Sequence, residues 1–200
     1  MMMNFDIQRV SLGGPIFDVE KLSWLNGLWI RENHTDEELA DRLVEWALNR
    51  KNLLAVLPHA RQRMETLSDF VPLAGFLASG TLPLTEADFE DLKSDQQDVV
   101  RALQFVLWQL EVRQEWQRDG IFADVKAVAD ALEVKMKDFL APFFIAVSGS
   151  AASFSVFDAM LLLGPDMTRA RLRHAIEVLG GVSKKGLKKL EKEYASLQQE

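Results

Sequence analysis

Three histidines, His34, His59 and His174, are scattered along the chain and show no metal-ligand spacing of the His-Glu-x-x-His kind. Carboxylates do cluster, at Glu37/Glu38 and at Asp88/Glu90/Asp91, where paired acids could in principle share a proton. Both clusters fall at the starts of expected helices, however, where the macrodipole favours anions without any catalytic role. Cysteine is absent, which removes thiolate nucleophiles, cysteine-zinc sites and disulfides, and points to a reducing compartment. There is no P-loop, no Gly-x-Gly-x-x-Gly, and no Ser/His/Asp set in a recognisable context. No catalytic residue and no metal site are assigned to this chain.

What remains is cationic. The net charge of −7 speaks against a nonspecific polyanion binder, since phosphate contacts dominate such affinity and need Lys and Arg. Yet residues 165–192 hold eight Lys/Arg against three Asp/Glu, while residues 1–164 hold fifteen against twenty-five. An acidic body with one basic region fits a module that docks one RNA in one orientation. It fits equally a solvated helix end and tail. No apolar run approaches the roughly 20 residues of a membrane span, and Met1-Met2-Met3-Asn4 lacks the features of a signal peptide. A soluble, cytoplasmic protein with no membrane partner is expected.

The elements that must carry these residues are helical. With 48% hydrophobic residues the 200-residue chain can bury one large core or two small ones. Asp18 is a candidate cap for a helix bearing Leu22, Trp24, Leu25 and Leu28. Thr35-Asp36-Glu37-Glu38 is a capping box opening another that ends near Asn49. Further helices are expected over 52–63, from Thr66, from Thr85 and Asp88, and over 96–118, the last stopped by Asp119-Gly120. Residues 121–132, 139–147, 156–163 (closed by Gly164) and 167–179 continue the pattern, and 184–200 reads as a frayed polar helix or tail. Trp24, Trp29, Trp46, Trp108 and Trp116 lie on apolar faces, where packing is the default. Gly80-Thr81-Leu82-Pro83 looks like a boundary. The expectation is an all-α protein of two consecutive helical subdomains, 1–80 and 81–182, with a basic polar tail over 183–200.

Several runs, in order, resemble the bacterial glutamyl-tRNA synthetase family, in the region that follows its catalytic part. The first is RVSLGGPIFDVEKLSWLNG, Arg9 to Gly27. The second, Arg61 to Leu67, is similar to a family pattern RPRFDTL. A long helix ending at Glu115-Trp116 comes next, then Lys135-Met136-Lys137-Asp138, similar to a KLGK connection and not to the catalytic Lys-Met-Ser-Lys-Ser signature. Pro142 to Gly164 is similar to a stretch of the form PLRxALTG…SPxLFExLxLLG. Neither this signature nor His-x-Gly-His is present.

The resemblance implies a helical cage that receives the anticodon loop of a glutamate-specific tRNA and acts as a monomer. ATP and magnesium would belong to a catalytic domain absent from this chain. It places Arg63 where glutamate-specific members put an arginine that reads the third anticodon base. A guanidinium suits that role, being a permanently charged fork of donors for acceptors on a base edge. It places Ser148, and Ser153, Phe154 and Val156, in the loop and helix start that touch the first two bases. Arg61, Arg169 and Arg173 are candidate phosphate contacts. The pattern is broken at Phe154, where proline is usual, at Ser148, where threonine is common, and at Phe144, where many members carry an RNA-facing arginine. That arginine's role is not carried over. Phe143-Phe144 reads as core. The rival reading is a free-standing acidic helical adaptor for a protein partner.

Overall fold

The computed structural model describes residues 18–150 and 153–197. The turn expected at Gly13-Gly14-Pro15 and the apolar anchor Ile16-Phe17 lie outside them. The described residues are helical throughout, with no strand among them, and they gather into two compact units divided between Asn49 and Arg50.

In the first unit, Asp18 caps α1 (Val19–Glu32) by accepting from the Lys21 N–H at 2.9 Å. The capping box that opens α2 (Asp36–Leu43) is complete: the Thr35 N–H donates to Glu38 at 2.9 Å and the Glu38 N–H to the Thr35 hydroxyl at 3.3 Å. These bonds stabilise the charged carboxylate and hold Glu38 below the usual range. A π-helical turn, Val44–Leu48, ends the unit. Neither α1 nor α2 buries a residue, and Trp24, Trp29 and Trp46 are exposed, so the packing expected of these three is not seen. Trp29 instead meets the edge of His34 at 4.2 Å and the Arg42 guanidinium at 5.4 Å.

The second unit has the core. Helices α3 (Arg50–Ala60) and α4 (Phe70–Ala74) lead through short 3-10 turns to α5 (Gln96–Val112), α6 (Arg118–Ala131), α7 (Met136–Ser148), α8 (Val156–Val178) and α9 (Lys184–Leu197). Gly80 to Pro83 lies inside this unit, with Leu82 buried. α8 packs on α7 and α5, and α6 closes against α5 and α8. Leu103, Phe105, Phe143, Met160 and Leu172 are fully buried, each worth about 1.5–3 kcal/mol. Phe143 is core, as its run suggested.

One boundary moved. α5 stops at Val112, not at Arg118, and the supposed stop Asp119-Gly120 lies in the first turn of α6. The cause is tertiary. Arg113 turns out of the helix and its guanidinium donates twice to Asp124 of α6, at 2.5 and 2.8 Å. A Cβ at Gly120 would collide with that guanidinium, so Gly120 is there for the close approach rather than to end a helix. The segment after Gly181 forms a full helix, α9, opened by Ser183, whose hydroxyl accepts from the Gly186 N–H at 3.1 Å. It lays Leu190, Tyr194 and Leu197 on the core.

α8 is two arms. Gly164 has φ 78° and ψ 173°, a conformation essentially reserved for glycine, and Pro165 restarts the helix in the position where its missing N–H costs nothing.

Candidate nucleic-acid interface

Two local devices build the surface on which the sequence-derived site residues fall. α7 ends on Gly149 in the left-handed conformation, φ 73°, its N–H bonding the Ile145 carbonyl at 2.8 Å. The Ser148 hydroxyl lies 2.7 Å from the Phe144 carbonyl and 3.0 Å from that of Ser150, so its one proton serves the end of the helix and the loop beyond. α8 then begins at Val156. Its N-cap, Ser155, makes no side-chain capping bond among the described residues, and the first N–H groups of any helix have no partner within it.

Arg63 and Ser153 come together. The Arg63 guanidinium donates to the Ser153 backbone carbonyl, which sets an exposed arginine against the mouth of α8. Its position comes from the 3-10 turn Arg61–Arg63, which ends α3 and carries Arg61 as a second exposed cation. Ser153 is enclosed, and its hydroxyl has no partner among the described residues. Phe154 is 4% exposed, its ring held 5.6 Å from both His59 and Phe76. Val156 is 1% exposed. The faces of these two side chains are therefore occupied by protein, and they fix where α8 starts.

His59 and Asp158 are neighbours of this mouth that no local pattern in the sequence singled out. Asp158, in the first turn of α8, accepts from Arg118 at 2.6 Å and lies 3.4 Å from His59, which stacks on Phe154. Contacts of this range arise only from the fold.

The other sequence-derived cations are placed elsewhere. Arg169 donates to the Leu110 carbonyl at 2.6 and 3.0 Å and lies over the Trp116 ring at 5.8 Å. Arg173 pairs with Glu111 at 2.6 Å across a half-exposed surface. Arg171, between them, is fully buried. Its guanidinium donates to four backbone carbonyls: Phe76 at 2.6 Å, Ser79 at 2.7 Å, Gly80 at 3.0 Å, and Val147. Burial pushes its pKa down to about 10, which leaves it cationic at neutral pH. It ties the 76–80 turn to the end of α7, just before the Ser148–Ser150 loop. No group of three or more His, Asp or Glu that could hold a metal ion occurs among the described residues. No helix among them is long and apolar enough to cross a membrane.

The helical body belongs to an anticodon-binding family. The family described as Anticodon binding domain matches residues 38–176. Among named relatives the chain is similar to the glutamate–tRNA ligase of Saccharophagus degradans, 61% identical over all of this chain and 40% of that protein. It is 57% identical over its full length to the glutamate–tRNA ligase of Cellvibrio japonicus, again covering 40%. The chain thus spans about two-fifths of the length of these relatives, and its likeness is to their anticodon-binding region. A solved glutamate tRNA ligase from Elizabethkingia meningosepticum shares the fold, with a TM-score of 0.59 at 18% identity over 88% of this chain and 35% of that one.

Proposed function

We propose that this chain reads the anticodon loop of glutamate tRNA for a ligase whose ATP-dependent chemistry is carried out by residues outside it. The observation that supports this reading is the Arg63–Ser153 contact, which puts a guanidinium fork beside the start of α8. RNA sequence is read where bases are unpaired and their edges can be hydrogen-bonded, and this mouth offers donors for such acceptors. In this reading Arg63 takes the third anticodon base. Ser148 and the backbone at Ser153 present donors and acceptors to the first two bases. Phe154 and Val156, being buried, position the mouth rather than stack on a base. Arg61 is the phosphate contact, and Arg173 joins it by exchanging Glu111 for RNA.

The test is binding of glutamate tRNA transcripts with each third anticodon base, at several salt concentrations. Arg63→Ala is expected to erase about 1–3 kcal/mol of preference for the correct base, by analogy with bidentate readout in DNA, with thermal stability nearly unchanged. Affinity should fall with salt at a slope of about −0.7 per single-strand phosphate contact. An unchanged base preference removes Arg63 from the site, and salt-independent binding removes the RNA.

A further inference from the structure

The five lysines of α9 were inseparable from a disordered-looking tail in the sequence, and the helix sorts them. At 100° per residue, Lys184, Lys188, Lys192, Lys185 and Lys189 fall within an arc of about 140°. Leu187, Leu190, Tyr194 and Leu197 occupy the opposite side. Tyr194 is fixed there, its ring 5.2 Å from both Phe105 and Trp108 of α5. All five lysines are exposed. None is paired with a carboxylate among the described residues, although lysines elsewhere are, Lys93 with Asp138 and Lys126 with Asp130. The acids of α9 flank the arc, and Glu193 is held by Arg101 at 3.1 Å.

This arrangement works against the helix. Like charges at i and i+4, as in 184/188, 188/192 and 185/189, repel, and the four lysines of the first two turns, Lys184, Lys185, Lys188 and Lys189, lie toward the positive end of the dipole. A chain with a net charge of −7 had carboxylates available to intersperse. We infer that the lysine face of α9 is a second RNA surface, which grips the phosphate backbone of the same tRNA away from the bases that are read. Lysine suits that task, as a flexible point charge that binds phosphate without demanding the geometry of a base edge. A membrane surface is the poorer fit, because the apolar side of α9 is already folded into the core and nothing is left to insert. The inference rests on the tRNA reading above for its partner, and its test separates the two.

Fluorescence anisotropy with glutamate tRNA over a series of KCl concentrations compares the full chain with K184Q/K185Q/K188Q/K189Q/K192Q. The variant should bind at least about tenfold more weakly at low salt, with a salt slope shallower by roughly one for each phosphate that is no longer engaged. Its preference for the correct anticodon should be intact. Replacing the same five lysines by arginine should restore affinity and slope. Should the glutamine variant lose helix content, K188Q and K189Q singly, which leave the apolar side of α9 untouched, carry the same comparison. A full salt slope with anticodon preference retained would overturn the inference and leave the anticodon reading standing. So would loss of binding to phosphatidylglycerol vesicles with tRNA affinity unaltered. If the native chain shows no anticodon preference but its RNA affinity still depends on these lysines, the anticodon reading fails and the lysine surface stands.

Discussion

The second arm of α8 and helix α9 are both basic, and along the sequence they form one cationic stretch. In the fold they are opposites. Arg169 and Arg171 are held on backbone carbonyls, and only Arg173 reaches the surface, where it pairs with Glu111. The lysines of α9 stand in solvent with no carboxylate partner among the described residues. Residue type marks the difference. A guanidinium delivers several fixed donors and tolerates burial, whereas an ammonium keeps its hydration and its mobility. Local charge density therefore says little until each cation is assigned to the inside or the outside.

The largest expected effect breaks the inside half of this comparison. Arg171→Ala strands four carbonyls and should cost about 3–5 kcal/mol in urea unfolding, since each unpaired buried group costs about 1–3 kcal/mol and water recovers part of it. Arg171→Lys should recover only part of that loss, because an ammonium has three donors and no fork. A loss below about 1 kcal/mol for the alanine variant would mean that the cage of carbonyls is already satisfied by solvent. Next in size is Arg169→Ala, which removes two bonds to Leu110 and should cost about 1–2 kcal/mol while leaving the tRNA salt slope as it was. A slope change there would move Arg169 to the outside class with the lysines.

The smallest effect concerns ionic stabilisation outside both helices. Asp69 and Asp88 accept backbone N–H bonds at Thr66 and Thr85, which hold both carboxyls below their usual range. Their folded pKa values lie under the unfolded ones. Their contribution is thus complete above about pH 4 and is lost as pH falls through the folded values. Asp88→Asn should lower the melting midpoint slightly at neutral pH and flatten the acid limb, the two proteins converging as pH falls. An unchanged midpoint at neutral pH would show that the asparagine caps as well as the carboxylate does.

The helical class was legible because apolar residues recur at the helical period, and the caps at Asp18, Thr35, Thr66 and Thr85 because capping is a three-residue affair. The break at Gly164 was equally local. The end of α5 was not, since Arg113 leaves the helix for Asp124, a partner on the next element. The exposure of Trp24, Trp29 and Trp46 was missed for a related reason: periodicity shows that a face is apolar, not that anything covers it. The meeting of Arg63 with Ser153 has no signature in spacing at all. It was reachable only through resemblance to a known family, as was the role proposed for it. Arg171 illustrates the limit best, because Arg169 and Arg173 share one side of the helix, Arg171 faces the other, and nothing local says which side is swallowed.

The kink at Gly164 also sets a counting constraint. Each residue advances the second arm of α8 by about 100°, so the six positions from Pro165 to Ala170 are what deliver a guanidinium to the carbonyl cage. One residue inserted there would present Ala170 to it, and one deleted would present Leu172. Length in this short segment is therefore under tighter control than composition, and a family member with an insertion here would need another donor to close the turn at 76–80.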